Sequence, residues 1–428
     1  MNKRVSIFTY GCKLNQYETE IMRERLSQKY NVSLEGEQAD LFIINTCTVT
    51  AEAERKTRQL IRRLKRENRK ASFVAVGCYS KLSPDDFKYM DFDYVGGIEE
   101  KSSIDKIVDA ILNNDEPVTK NVEHAVAKKG PADRTRAYLA IQDGCINNCA
   151  YCRIRLARGS KIKSKDRDLV LEEFRQFIID GYREIVLTGV NIGYYGFDRN
   201  DSLLGLLKYL STVQGDWRLR LSSIDPRTMM DELIDYITNH ENIAQHIHLS
   251  LQSGSNSVLK RMRRNYTVES YESIVNKLRS KNERFSFTTD IIVGFPGETE
   301  NEFKETCLFV KKMGFLKTHI FRFSPRPGTE AYTMKNEISG TIKKNRARLL
   351  REIAKESSEN YLEAQVGKES TVLVENTVNN NSIGYDEYYI QHIVNGIHTE
   401  GFVRVKIQKT ERSGAFSNAE LCCESMEI

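Results

Sequence analysis

The sequence predicts an α/β protein in three parts: an N-terminal parallel α/β sheet domain, a partial (β/α)6 barrel, and a small C-terminal β-barrel. Three observations carry this reading. Short apolar runs alternate with helical patterns from residue 4 to about residue 330, which implies parallel sheets with helices on their faces. A polar, mixed-charge stretch, Asn114–Arg136, with Gly130-Pro131 inside it, divides that alternation in two. From Ser370 onward the helical period is gone and short strands separated by turn signals remain.

In the first part, about 1–120, strands are expected at Arg4–Tyr10, Asp40–Thr46, Phe73–Val76 and Tyr94–Val95. Helices are expected at Asn15–Lys29, Thr50–Arg69 and Ser102–Leu112. Residues 121–136 read as the linker. The second part, 137–365, has candidate strands at Tyr138–Gln142, Glu184–Thr188, Arg218–Ser222, His246–Leu251, Ser286–Val293 and Thr318–Phe323. Helical patterns lie between them at Asp168–Asp180, Leu203–Leu210, Met229–Asn239, Tyr271–Arg279 and Glu302–Met313. Six consecutive βα units suit a barrel or partial barrel, whose reactive groups sit at the carboxyl ends of the strands; an open doubly wound sheet is the competing arrangement. A charged amphipathic helix, about Ile342–Gln365, closes this part. In 366–428, strands are expected at Thr371–Glu375, Ile383–Val394, Gly401–Lys409 and Ala415–Leu421, forming a small barrel of a kind that commonly binds oligonucleotides.

The 428 residues carry 40% hydrophobic and 29% charged side chains and a net charge of +5, the profile of an ordinary soluble protein. Nine cysteines are too few and too unevenly spaced for a disulfide framework and suit a reducing cytosol. No apolar stretch approaches the roughly 18 residues of a membrane span, and the first residues lead into a strand without an apolar signal core. A cytoplasmic protein, without membrane association, is expected.

Three of the cysteines form the run Cys145-Ile-Asn-Asn-Cys149-Ala-Tyr-Cys152, directly after the first strand of the second part. Thiolates are soft ligands suited to iron–sulfur clusters, which take four cysteines when they only pass electrons. Three on one loop would leave an iron open to another ligand. Zinc or a structural role is the alternative, but C-x3-C-x2-C lacks the paired C-x2-C halves or the His pair of zinc modules. Cys12, Cys47 and Cys78 share a different address, each following a predicted strand of the first part. In a parallel sheet those strand ends lie along one edge, where ligands bind, and Gly11 and Gly77 would let the backbone turn sharply. The alternative is three buried hydrophobic cysteines. Cys307, Cys422 and Cys423 need no role, and His248 and His319 read as core or wall residues.

These residues together resemble the radical S-adenosylmethionine (SAM) methylthiotransferases over essentially the whole chain. The C-x3-C-x2-C loop is similar to the radical SAM signature, the dispersed cysteines to the family's N-terminal domain, and the C-terminal β segment to its RNA-binding TRAM barrel. Gly11–Glu18, Asn45–Thr50, Gly77–Tyr79, Arg134–Ala137, Ile185–Asn191 and Gln252–Ser255 are most similar to the MtaB type. The resemblance implies addition of a methylthio group to carbon 2 of N6-threonylcarbamoyladenosine at tRNA position 37. It implies two [4Fe–4S] clusters, and SAM as both radical source and methyl donor. Cys145, Cys149 and Cys152 would hold the cluster that binds SAM; Cys12, Cys47 and Cys78 would hold the auxiliary cluster that carries sulfur. Tyr151 would pack near the adenine of SAM, Thr188, Gly189 and Asn191 would meet its methionine portion, and Ser223, Gln252, Asp290 and Gly294 would line the rest of the pocket. Two departures from the family pattern are Arg153-Ile154-Arg155 after the third cysteine and Ser250 before the glutamine motif.

An aromatic C–H is neither acidic nor electrophilic enough for a side-chain base or nucleophile, so cofactors must carry the hard step. Between Arg55 and Lys70 there are nine Lys or Arg and one acid, Glu67. On a helix beside Cys47, Arg55, Arg58, Arg62 and Arg63, with Arg158 of the second part, become candidates for contact with a tRNA anticodon stem-loop; a solvated helix face is the alternative. An external electron donor and sulfur source are implied, and a monomer is expected. The competing functions are the same reaction on isopentenyl-modified adenosine or on a ribosomal protein, and a redox-sensing iron–sulfur RNA-binding protein that catalyses nothing.

Overall fold

A computed structural model of the chain describes residues 3–117, 135–398, 401–412 and 421–427. The first part contains β1 (Arg4–Thr9), α1 (Lys13–Leu26), β2 (Asn31–Leu34), β3 (Leu41–Thr46), α2 (Ala51–Glu67), β4 (Ser72–Gly77), α3 (Cys78–Leu82), α4 (Pro84–Lys88), β5 (Tyr94–Val95) and α5 (Ile104–Leu112). The strands form one parallel sheet in the order β2-β1-β3-β4-β5. Its central strands are buried on both faces. Ile43, Val74 and Val76 pack with Met22, Leu26 and Ile107 on one side; Phe42, Ile44 and Phe73 pack with Ile61 and Leu64 of α2 on the other. Near-continuous apolar runs are what such strands require. Sequence reasoning overlooked β2, whose Asn31-Val-Ser-Leu34 pattern covers only one side of an edge strand, and α3 and α4, which are too short to show a period.

The second part contains β6 (Arg136–Asp143), α6 (Ile154–Arg158), β7 (Lys163–Ser164), α7 (Arg167–Ile179), β8 (Glu184–Gly189), α8 (Leu203–Leu210), β9 (Arg218–Leu221), β10 (Ser223–Ile224), α9 (Asp231–Asn239), β11 (His246–Leu249), α10 (Asn256–Arg261), α11 (Val268–Lys281), β12 (Ser286–Val293), α12 (Glu300–Met313), β13 (Lys317–Arg322) and α13 (Gly340–Glu363). The predicted strands are all present within a few residues. Arg136 opens β6 instead of ending the linker, most of which lies outside the described residues. The sheets β7-β6-β8-β9 and β10-β11-β12-β13 are joined by a parallel bridge between Leu219 and Ile243. The six long strands are mutually parallel where they pair, so a partial (β/α)6 barrel forms, and the doubly wound alternative falls away. Outward residues such as Leu139, Ile185, Leu187, Leu219 and Phe287 pack under the helices.

The third part contains β14 (Glu369–Val378), β15 (Asn381–Tyr385), β16 (Gln391–Asn395), β17 (Gly401–Arg412) and β18 (Leu421–Glu427), in a closed barrel ordered β14-β15-β16-β18-β17. The expected strand Ile383–Val394 is two strands, because a turn held by Asp386 interrupts it: the Asp386 carboxylate accepts the N–H groups of Tyr388 at 2.9 Å and Ile390 at 2.8 Å. The expected strand Ala415–Leu421 falls mostly outside the described residues; β18 begins at Leu421.

Charge joins the second and third parts. Glu184, fully buried, accepts from Arg220 through Nε and Nη2, both at 2.8 Å, and lies 3.4 Å from Arg218. Arg220 also donates to the Asp386 carbonyl at 2.8 Å, and Arg218 to the Thr371 carbonyl at 2.6 Å. Burial alone would raise the Glu184 pKa from 4.5, but Arg220, Arg136 and Arg218 hold it at about 2. A carboxyl depressed in the folded state contributes stability above its unfolded pKa and loses it as pH falls through the folded value. Glu184→Gln is therefore expected to lower the unfolding midpoint at pH 7, by an amount that shrinks as the pH drops from about 4.5 towards 2. Thermal melts of both proteins across that window check it.

Candidate metal centres

The dispersed cysteines converge. Cys12 caps the start of α1, Cys47 follows β3, and Cys78 opens α3 after β4, so all three stand at the carboxyl edge of one sheet. Gly11 and Gly77 have φ of +123° and +116°, and a Cβ on Gly11 would come within 2.8 Å of the Cys47 sulfur. Only glycine allows that approach. Buried hydrogen bonds tie the loops together: the Asn15 amide donates to the carbonyls of Tyr10 at 2.9 Å and Thr46 at 3.0 Å, and Ser80 N–H donates to Thr46 Oγ1 at 3.1 Å. Burial, then the neighbouring Cys12 and Cys78 sulfurs, push the Cys47 thiol up to about 12. Crowded, buried thiols that resist ionisation alone, as Cys47 and Cys78 do, are suited to iron, which stabilises thiolates; Cys12 is exposed.

The second trio lies on the loop between β6 and α6. Gly144, at φ +75°, starts it; a Cβ there would meet the Lys161 carbonyl oxygen at 1.9 Å. Backbone bonds from Ala150 to Met262 and from Ala331 to Ala150 fix the loop against the opposite side of the barrel. Burial, then Cys149 and Cys145, push the Cys152 thiol up to about 12. Arg264 Nη1 donates to Cys149 Sγ at 3.1 Å and lies 3.6 Å from Asp225, which accepts from Asn147 of the loop at 2.8 Å. Arg264 and Asp225 carried no sequence signal, because their partner is reached only through the fold.

The two trios are locked to one another. Arg158, nearly fully buried in α6, donates to both Glu18 carboxylate oxygens and to Asn15 Oδ1, each at 2.9 Å, and to Asp143 at 3.1 Å. Burial would raise the Glu18 pKa, but Arg158 and Lys101 hold it at about 2. Arg153, directly after Cys152, donates to Glu54 at 3.3 Å; Arg326 bonds the same carboxylate and the Thr48 carbonyl beside Cys47. These placements correct one expectation: Arg158 is a buried interface residue, not an RNA contact. Arg153, one of the departures from the family pattern, is buried at the same interface. Arg155 reaches Asn148 at 2.7 Å.

Of the residues expected to line the SAM pocket, all but Asp290 lie at or beyond the carboxyl ends of the barrel strands. Tyr151 packs edge-on to Phe295, centroids 6.5 Å apart. Asn191 N–H donates to Gln142 at 2.9 Å, and Gly189 packs against the Gln142 carbonyl, beside buried Thr188. Ser223 hydrogen-bonds Ser250 at 3.0 Å, which gives the departure at 250 a local partner. Gln252 adopts φ +71° and pairs with the Asp290 carbonyl at 2.8 Å. The Asp290 side chain points deeper, into the barrel, with its carboxylate 3.3 Å from His248. Gly294 is covered by Lys343 and its N–H is taken by Glu298, so it shapes the turn. Arg55, Arg62 and Arg63 are exposed on α2, with Arg55 paired to Glu52 and Arg63 to Glu37; Arg58 donates to Tyr79 at 2.6 Å. No helix of the described residues is long and apolar enough to cross a membrane.

Comparison with known proteins agrees with this geometry. The Radical SAM superfamily model matches residues 139–310, and the model described as Uncharacterized protein family UPF0004 matches residues 4–96. The chain is 43% identical over 419 residues to a threonylcarbamoyladenosine tRNA methylthiotransferase MtaB of Thermotoga maritima, covering 97% of this chain and 96% of that protein. It is 36% identical to the protein of that name in Bacillus subtilis, covering 95% and 94%. It is 34% identical to a tRNA-2-methylthio-N(6)-dimethylallyladenosine synthase of Carboxydothermus hydrogenoformans, covering 87% and 88%. Among solved structures, the radical SAM methyltransferase TsrM of Kitasatospora setae, with cobalamin and a [4Fe-4S] cluster, is similar in fold, with a TM-score of 0.57 at 14% identity over 78% of this chain and 77% of that one. With two thiol trios joined through the contacts of Arg158 and Arg153 and relatives matched along nearly their full length, the chain belongs to the radical SAM methylthiotransferases of the MtaB type.

Proposed function

We propose that this protein adds a methylthio group to carbon 2 of N6-threonylcarbamoyladenosine at position 37 of tRNA. The observation that carries the proposal is the pair of converging thiol trios, locked across one interface by Arg158 and Glu54. In this reading residues 1–120 hold the auxiliary cluster on Cys12, Cys47 and Cys78, 121–136 are a linker, 137–365 hold the SAM-binding cluster on Cys145, Cys149 and Cys152, and 366–428 meet RNA. When bound, the clusters supply the electron for SAM cleavage and the site of sulfur delivery.

The chain's own residues position and shield. Arg264 fixes the Cys149 sulfur and, with Asp225, the Asn147 segment of the loop. Tyr151 and Phe295 form an aromatic wall for the adenosine of SAM, and the Thr188–Asn191 segment, braced by Gln142, receives its methionine portion. Ser223 and Gln252 complete that rim. Closing such a site against water protects a reactive species from side reactions. Exposed Arg55, Arg62 and Arg63 of α2, which begins beside the Cys47 loop, suit phosphate contacts that position the anticodon stem-loop without reading sequence. The protein works as a monomer in the reducing cytosol, with an external electron donor and sulfur source.

Two measurements test this. Anaerobically reconstituted protein is expected to hold about eight irons per chain, and Cys47→Ser or Cys149→Ser about four. Arg158→Met is expected to lose the auxiliary set preferentially, because it removes the guanidinium that Glu18 and Asn15 share and leaves Glu18 with Lys101 alone. Incubated with SAM and reductant, the wild type is expected to give the mass of an added SCH3 group on threonylcarbamoyl-modified RNA. Product only on isopentenyl-modified RNA overturns the substrate, and no 5′-deoxyadenosine with any RNA favours a non-catalytic iron–sulfur protein.

A further inference from the structure

The floor of the barrel gathers four cations, Lys13, Arg136, Arg218 and Arg220, with the carboxylates Glu184, Glu375, Asp386 and Glu387, and leaves one of those cations without a partner among the described residues. Inward-facing residues of β6, β8 and β9 form the layer Arg136, Glu184 and Arg218, in register across the sheet. Glu184 is engaged by Arg220 and Arg218, and Arg136 by Glu375. Higher up, Asp290 is paired with His248. Lys13, the residue after Cys12, reaches the same space, within electrostatic range of Tyr389, Arg220, Arg136 and Glu184. It is half-buried and makes no hydrogen bond or ion pair with any described residue. Behind it, Nη1 of Arg220 and Nδ1 of His246, on side chains 1% and 3% exposed, have no hydrogen-bond partner.

The floor itself is built with care. Tyr389 enters from the C-terminal barrel at φ +66°, a left-handed conformation that a tyrosine holds only when its surroundings impose it. Its ring stacks on His246 at 4.7 Å and on Tyr385 at 5.1 Å. Burial would raise the phenol's pKa, yet Lys13, Arg136, Arg220 and Lys317 bring it below the ordinary value.

We propose that this floor is the subsite for the carboxylate at the end of the substrate's N6 substituent, with Lys13 as its ion-pair partner and Arg220 behind it. The inference rests on the methylthiotransferase reading and names the part of the substrate that selects between nucleosides. On adenine only N1 separates C2, where sulfur is added, from C6, which bears the N6 group. A cation beside the sulfur-bearing trio is therefore placed to meet that group, and Lys13 follows Cys12 with Cα atoms about 3.8 Å apart. A threonylcarbamoyl group presents a carboxylate to Lys13. An isopentenyl group presents hydrocarbon, leaving a partly desolvated ammonium unpaired, and sites built for a polar group discriminate strongly against analogues lacking it.

The test uses the reconstituted full chain and three anticodon stem-loops, bearing the threonylcarbamoyl acid, its neutral methyl ester, or the isopentenyl group. Equilibrium RNA binding and kcat/KM for SCH3 addition are both read. The wild type is expected to prefer acid over ester by about 10- to 100-fold, the range a lost charge-assisted hydrogen bond carries. Lys13→Met is expected to bring the acid down to the level of the ester, while Lys13→Arg keeps most of the preference. Equal use of acid and ester by the wild type, or a preference that survives in Lys13→Met, overturns the subsite. The wild-type comparison stands alone if the variant fails to fold. Conversion of none of the RNAs overturns both this subsite and the enzymatic reading beneath it.

Discussion

The buried ion pair between Arg158 and Glu18 is the contact on which the rest of the site depends. Arg158 lies in the helix after Cys152 and Glu18 in the helix after Cys12, so the pair sets one thiol trio against the other. Desolvating a guanidinium and a carboxylate is unfavourable, and such a pair yields little net stability unless the remaining donors and acceptors are satisfied. Here they are: Asn15 and Asp143 take further Arg158 donors, and Lys101 takes the other side of Glu18. The pair therefore specifies a position more than it adds stability. Asn15 extends that specification, since its amide also holds the Tyr10 and Thr46 carbonyls that aim Cys12 and Cys47.

A second charged junction does the same at the far end of the barrel. Glu184 draws Arg218 and Arg220 inward, and those arginines donate to carbonyls of the C-terminal barrel. Arg284 adds bonds to the Glu369 carbonyl at 2.7 Å and Ser370 at 2.8 Å. The C-terminal barrel is thus part of the chamber: its Tyr389 supplies the floor.

Much of this was legible in the sequence. Strand–helix alternation gave both parallel assemblies, because buried parallel strands must be apolar and helices must cover them. The cysteine loop spoke through its spacing, and Cys12, Cys47 and Cys78 through their common place at strand ends. What stayed hidden was direction. Arg158 reads as a surface cation in the sequence because charge alone does not show which way a side chain faces. A signal was available in Arg218-Leu-Arg220-Leu221: charges alternating with apolar residues in a strand otherwise buried under helices mark the inner wall of a barrel. Lys13 was quoted within a motif, yet its role depends on an arginine about two hundred positions away. The break between β15 and β16 was missed because Asp386 holds a turn inside an otherwise strand-like run.

The central claim is that two clusters share one chamber. Electron paramagnetic resonance of the doubly reduced, reconstituted protein tests it most directly, because two paramagnetic centres in one chamber couple through space. The account predicts a spectrum broadened by spin–spin interaction, relaxing to a simple single-cluster signal when Cys12, Cys47 and Cys78 are all replaced by alanine. A wild-type spectrum equal to the sum of two independent clusters would contradict it.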